Sequence, residues 1–293
     1  MGVAAVSSPA QEKLRDHGVP SVLSKAFSVP DPFRNDFGDY RSPLIFADGR
    51  RVKDAADWEQ RRQEIRREWT ELLGEWPPLI TQPETEILQS EPRENFVQHT
   101  IRFRWLPPRK VSANKTESQP SSSERAAATT TQSEAAGRYP ESVEFTTGYL
   151  LIPAADGPHP AVVTVFYEPE TAIGHNNPHR DFALQLARRG FVTLSIGTTE
   201  ASQAQTYALY YPEIGAADVQ PLSMLGYAAA NAWHVLANRP EVDADRIGII
   251  GHSFGGKWAM FAGCLFDRFA AVAVSDPGIM FDTHPSVNYW EPW

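Results

Sequence analysis

Apolar positions along the chain follow three successive rhythms. Between Asp54 and Leu73, the residues Trp58, Ile65, Trp69 and Leu72 fall at spacings of 7, 4 and 3, which line one face of a helix. Asp54 is placed to cap its start and Gly74 to end it, and Pro77 and Pro78 forbid continuation. The period then drops to two. Ile101, Phe103 and Trp105 alternate with Arg102 and Arg104, and Val143 and Phe145 alternate with Glu144 and Thr146 ahead of the run Tyr149–Ile152. A half-solvated antiparallel strand pair is predicted. From residue 160 the alternation gives way to apolar runs at Ala161–Phe166, Phe191–Ile196, Arg246–Ile250 and Phe269–Val274. Helical patterns separate them: through Phe182, Leu186 and Ala187 up to Gly190, over Leu222–Leu236, and over Phe254–Leu265. Strands apolar on both faces that alternate with helices predict a parallel sheet covered on both sides and joined by right-handed crossovers. The expected fold class is α/β: a three-layer α/β/α sandwich with a mostly parallel sheet, preceded by the antiparallel pair.

Two segments break this pattern. Residues 1–50 are rich in Pro, Asp and Phe and carry no period. They read as an extended arm that forms, with the first helix, an N-terminal segment (1–80) packed on a core built from 81–293. Lys110 to Arg138 is built from Ser, Thr, Ala, Gln and Glu, with Val111 its one large apolar residue. Such a stretch cannot bury enough surface to offset its ordering entropy, so a disordered insertion at 110–138 is expected. At the tip of a strand pair its length costs little. Its sequon, Asn114-Lys115-Thr116, has no meaning without a secretory route.

Composition narrows the function classes. The chain has 293 residues, 42% hydrophobic and 22% charged, the profile of a soluble globular protein. No stretch approaches the roughly 18 apolar residues of a membrane span. A single cysteine, Cys264, excludes an intrachain disulfide framework and a cysteine-based zinc site. The net charge of -9 argues against nucleic-acid binding, which needs a basic face. The opening MGVAAVSSPAQEKLRD has neither the basic nor the apolar region of a secretory signal, and the compartment stays open.

The chemistry is concentrated at Gly251-His252-Ser253-Phe254-Gly255, a G-x-S-x-G pattern between an apolar strand and a helix. A serine at such a sharp turn is forced into strained backbone angles, and glycines two before and two after leave room for the chain to pass. The turn lifts Ser253 Oγ above the sheet edge, and the helix N-terminus sets the Phe254 backbone N–H where an oxyanion would form. Gly251–Lys257 also fits a phosphate-binding loop short of its last residue. Trp258 stands where that loop needs Ser or Thr to hold magnesium.

The remaining parts of a serine hydrolase can be assigned by position. The second oxyanion donor is expected after the Ala161–Phe166 strand, from the backbone N–H of Tyr167 or Glu168, and side chains of this loop could equally line a substrate cleft. Asp276 follows the last predicted strand in Ser275-Asp276-Pro277-Gly278 and is the candidate acid, with Asp282 next and a plain turn residue as the other reading. His252 is expected to pack under the elbow rather than act as base. His175 and His179 read as exposed loop histidines, since Pro178 interrupts any helix presenting both as metal ligands. After the elbow there is one histidine, His284, with no further strand to deliver it, and the chain closes on the aromatic run Val287–Trp293. The reading is a chain incomplete at its C-terminus and lacking its base; otherwise His284, His175 or His179 supplies it. A sheet ending here would leave an open edge, from which self-association is expected.

From about Tyr149 to Asp276 these residues resemble the α/β-hydrolase superfamily, and within it the acetyl xylan esterase-like proteins and glucuronoyl esterases. The helix Asp57-Trp-Glu-Gln-Arg-Arg-Gln-Glu-Ile-Arg, the run Val242-Asp-Ala-Asp-Arg-Ile-Gly and Lys257, four after the serine, carry the resemblance. It implies Ser253 as the nucleophile of an acyl-enzyme, Asp276 as the group orienting a histidine, Lys257 as a contact to sugar hydroxyls, and no metal or organic cofactor. The sequence departs in having Phe254 where glucuronoyl esterases have an arginine, and in lacking a counterpart to their C-terminal histidine. The function implied is a serine-dependent hydrolase of an acylated or esterified carbohydrate. Hydrolysis of other esters, lactones or peptides is the near alternative, and a catalytically dead fragment or interaction module the distant one.

Overall fold

The computed structural model describes residues 29–34, 36, 38, 41–108, 144–175, 178–198, 209 and 217–278. The expected insertion at 110–138 with its sequon, Asp282, His284 and the aromatic run 287–293 lie outside them. The chain divides into two compact units, Met1–Glu64 and Ile65–Trp293.

In the first unit a 3-10 turn at Asp31–Phe33 precedes a small bridge between Ile45 and Arg51. Phe46 is buried there under the Arg50 guanidinium, 4.4 Å from its ring. Arg61 is buried as well. Its guanidinium donates to the Pro43 carbonyl and pairs with Glu64 at 2.9 Å, and Glu64 also accepts the Ala47 N–H. Helix α1 (Ala55–Leu73) opens with Asp54 Oδ1 accepting the Asp57 N–H, and it ends at Gly74, φ 83°.

The expected apolar face of α1 is not its buried one. Trp58, Trp69 and Leu72 are exposed, at 37%, 41% and 68%. In the second unit Arg66, Thr70 and Leu73 face inward instead, with Arg66 donating to the Leu265 carbonyl and pairing with Asp267. An arginine stem covers apolar surface while its head makes hydrogen bonds, so two of the three inward positions are polar by residue type.

The second unit is built on one sheet of seven strands: β1 (Thr85–Pro92), β2 (Phe96–Arg104), β3 (Phe145–Pro153), β4 (His159–Phe166), β5 (Val192–Gly197), β6 (Val242–His252) and β7 (Ala271–Ser275). Their order is β1-β2-β3-β5-β4-β6-β7. β5, β4, β6 and β7 are parallel neighbours, while β1–β2, β2–β3 and β3–β5 are antiparallel. Thus β2, β4, β5, β6 and β7 run one way and β1 and β3 the other. The expected antiparallel pair is β2 with β3, in register from Phe96 opposite Pro153 to Arg104 opposite Phe145. β1 was not visible in the sequence. All eight of its residues are exposed, so no alternation marks it.

Helices α2 (Pro169–Ala172) and α3 (Phe182–Ala187) cover one face of the sheet, while α4 (Pro221–Ala237) and α5 (Phe254–Leu265) cover the other. Successive residues of a strand point to opposite faces. Leu151 joins the core with Ile173, Ala183 and Leu184, and Leu150 joins the larger one with Val163, Ile249, Tyr227 and Trp258. Every residue of α4 from Pro221 to Leu236 is buried, as a helix apolar all round requires. Its one amide, Asn231, is satisfied on both sides, donating to the Trp105 carbonyl and accepting the Ile80 N–H. No helix among the described residues is long and apolar enough to cross a membrane.

Candidate active site

β6 ends at His252 and α5 begins at Phe254, so the turn between them is Ser253 alone. Ser253 has φ 56° and ψ -118°. Such a conformation costs of order 1–3 kcal/mol for a residue with a side chain and persists where its surroundings over-determine it. Three glycines do so. A Cβ on Gly251 would stand 2.0 Å from the Gly255 carbonyl oxygen, one on Gly255 2.0 Å from the Val165 oxygen, and one on Gly256 2.7 Å from the Ser275 oxygen. The first two are the glycines of the sequence pattern; Gly256 has its own reason. Ser253 N–H donates to the Ser275 carbonyl at 2.9 Å, and the Ser253 carbonyl accepts the Lys257 N–H at 3.1 Å. The hydroxyl is left at the mouth of a helix whose dipole favours negative charge.

Tyr167 follows β4. Its hydroxyl lies 3.0 Å from Ser253 Oγ. The ring is set edge-on against Phe166 (centroids 4.9 Å, 81°) and tilted against Phe254 (5.3 Å, 44°). Sequence reasoning placed Tyr167 at this loop for its backbone; the side chain is what reaches the serine. Glu168 is extended (φ -115°, ψ 143°), stands at the N-terminus of α2, and accepts the Thr171 hydroxyl. Beyond it Tyr149 donates to Glu170 Oε1 at 3.0 Å. Burial, with the Glu170 charge beside it, pushes the Tyr149 phenol up to about 12.

On the other side stand Lys257 and Asp276. Ser253 and Asp276 are the two non-glycine residues of positive φ among the described residues, Asp276 at 44°. Asp276 is exposed at the end of β7. Lys257 is 4% exposed. Burial holds its ammonium below the ordinary lysine value, and the Asp276 charge opposes that shift. Its Nζ is 3.7 Å from where a Cβ on Gly278 would stand, so it reaches the turn that carries Asp276. Ser275 was not singled out in the sequence, although it adjoins Asp276. Its carbonyl holds the Ser253 N–H and its hydroxyl meets His252 Nδ1 at 3.0 Å. His252 is also stacked on Phe166 (6.3 Å, 16°). His175 and His179 are exposed, and His175 lies with its ring 6.4 Å from that of Tyr149.

Trp258, where a phosphate-binding loop needs a hydroxyl, is fully buried with its indole N–H on the Leu225 carbonyl. Among the described residues no three His, Cys, Asp or Glu side chains gather as metal ligands would.

Residues 146–285 match the model of the dienelactone hydrolase family, and the sheet and helices have the α/β-hydrolase fold. No curated protein matches the chain by sequence. Among solved structures it is similar to a glucuronoyl esterase from Solibacter usitatus (18% identity, TM-score 0.54, 79% of this chain and 62% of that one). A glucuronoyl esterase from Teredinibacter turnerae is also similar (17%, 0.53, 78% and 54%), as is a promiscuous esterase from a marine bacterial metagenome (15%, 0.52, 80% and 62%). At these identities the likeness is one of fold. The chain spans about three-fifths of the length of the Solibacter usitatus protein.

Proposed function

We propose that this α/β-hydrolase is a serine-dependent hydrolase of a carbohydrate ester, with Ser253 as nucleophile. The observation that carries the reading is the backbone of Ser253: a hydroxyl-bearing residue at φ 56°, walled in by Gly251 and Gly255, where any glycine would be less strained. Ser253 Oγ attacks the ester carbonyl. The Phe254 N–H and the loop at Tyr167 and Glu168 hold the oxyanion, and the alcohol leaves from an acyl-enzyme that water then hydrolyses. The proton acceptor is an imidazole, oriented by Asp276. His284, outside the described residues, is one candidate; His175 and His179, on the loop beyond Tyr167, are the others. Lys257 binds substrate hydroxyls. The similar esterases and this buried cation support a polyhydroxylated substrate.

The test is labelling with a fluorophosphonate probe, followed by assay on sugar acetates, a methyl glucuronate ester and a peptide amide. Labelling that Ser253→Ala abolishes, with turnover of a sugar ester, is expected. Labelling that Ser253→Ala leaves unchanged would sink the nucleophile. Turnover of the amide alone would sink the substrate class. His284→Ala, His175→Ala and His179→Ala, compared for labelling rate, identify the base.

A further inference from the structure

We infer that the side-chain hydroxyl of Tyr167 is a catalytic hydrogen-bond donor to the oxyanion, a role expected of its loop's backbone. The inference rests on the reading of Ser253 as nucleophile.

The argument begins with the 3.0 Å contact between Tyr167 Oη and Ser253 Oγ. In the resting site two hydroxyls share one hydrogen bond, and either can donate. On attack, Oγ bonds to the carbonyl carbon, the π pair of the C=O bond moves onto the carbonyl oxygen, and the Oγ proton passes to the imidazole base. Oγ becomes a weak, ester-like acceptor, while a full negative charge develops one bond beyond the carbon it now holds. A donor already within reach of Oγ meets that charge by turning its O–H about the C–O bond. Tyr167 keeps its proton throughout and contributes a charge-assisted hydrogen bond, about twice as strong as a neutral one.

Such a donor is effective only if it is fixed beforehand, and Tyr167 is fixed from both ends. Its ring is clamped by Phe166 and Phe254, themselves 3% and 0% exposed. Its main chain is pressed by the end of β5: a Cβ on Gly197 would stand 2.7 Å from the Tyr167 carbonyl oxygen and 2.8 Å from Pro169. Phe254 thereby serves twice. Its backbone opens the helix beside Ser253, and its ring props the phenol over the same oxygen.

The test compares the full chain with Tyr167→Phe, which keeps the ring and its packing and loses only the hydroxyl. Both are reacted with a fluorophosphonate, whose tetrahedral adduct places an oxygen where the oxyanion would be. The modified residue is identified by peptide mass, with Ser253→Ala as the blank. The expected result is labelling of Ser253 in both, slower in Tyr167→Phe by about 10²- to 10³-fold, at an unchanged melting temperature. Equal rates at Ser253 would overturn the inference and leave the nucleophile standing. No Ser253-dependent labelling in the unaltered chain would overturn both. If Tyr167→Phe does not fold, 3-fluorotyrosine at position 167 decides the matter. Its more acidic phenol donates more strongly, so labelling at neutral pH is faster; an unchanged or slower rate overturns the inference.

Discussion

Gly255 packs against the carbonyl oxygen of Val165, so closely that a Cβ on it would stand 2.0 Å from that oxygen. β4 and α5 therefore meet main chain to main chain beneath Ser253, with no side chain between them to yield. Gly255→Ala is expected to cost more than about 2 kcal/mol in urea unfolding, the upper part of the overpacking range. Gly190→Ala is its control: φ is 87° there but nothing lies within 4 Å of a Cβ. Its cost is about 1–2 kcal/mol, the left-handed penalty alone. Equal costs at the two sites would contradict the close approach.

Ser253→Gly should be the more stable of two inactive variants. Both Ser253→Ala and Ser253→Gly lose the hydroxyl bonded to Tyr167. Glycine also relieves a conformation worth about 1–3 kcal/mol and returns roughly 0.5–1 kcal/mol of it as extra chain entropy in the unfolded state. Ser253→Gly is expected to unfold about 1 kcal/mol above Ser253→Ala. The reverse order in urea melts would mean that the turn is not strained.

The parts of this site legible in the sequence are those written in residue type. Gly251, Ser253 and Gly255 bracket the turn, and α5 begins and ends where Phe254 and Leu265 predicted. What was hidden depends on direction or on polar burial. The loop after β4 could be placed by counting, but the direction of the Tyr167 ring goes with its packing against Phe166 and Phe254, which residue type alone does not show. The inward face of α1 was misread because Arg66 and Thr70 occupy it while Trp69 and Leu72 point outward. β1 carries no pattern because neither of its faces is covered.

Lys257 is expected to cost stability. Its ammonium is buried and its pKa lies below the ordinary 10.5 because of that burial. At neutral pH both folded and unfolded chains carry the charge, and only the folded one bears the desolvation. As pH rises past the folded pKa and then past 10.5 the penalty disappears, so stability from this group increases with pH over that window. Lys257→Met is expected to be neutral or stabilising by about 1–4 kcal/mol at pH 7, with the gain shrinking as pH rises past the folded pKa toward 10.5. On the proposed function, sugar-ester turnover falls by roughly 10- to 100-fold for the lost charged hydrogen bond. A less stable variant with unchanged turnover would assign Lys257 a structural role.

His234 points to an acid-side weakness. Burial lowers its pKa from 6.5, and the Arg268 charge lowers it further; its ring sits against Trp233 and Phe266. The folded state keeps it neutral where the unfolded chain protonates. Its contribution is therefore complete above pH 6.5 and is lost as pH falls below that value toward the folded pKa. His234→Leu should flatten the loss of stability below pH 6.5 by up to about 1.4 kcal/mol per pH unit. A residual slope is expected from His99, lowered by burial and by Arg239. Identical slopes for the two proteins would place the titration elsewhere.

All five residues of β7 are exposed, and among the described residues it is an edge of the sheet. Yet the Ser275 carbonyl at its end anchors the Ser253 N–H, and the Ser275 hydroxyl holds His252. The reactive turn is thus moored to one of the least protected strands, while α4 lies wholly inside. Edge segments open at lower free energy than cores. In rising urea, amide protection along β7 and labelling at Ser253 should vanish together while α4 stays protected. The turn then behaves as a fuse: reactivity fails first and reversibly, and the sheet that would have to be rebuilt stays intact.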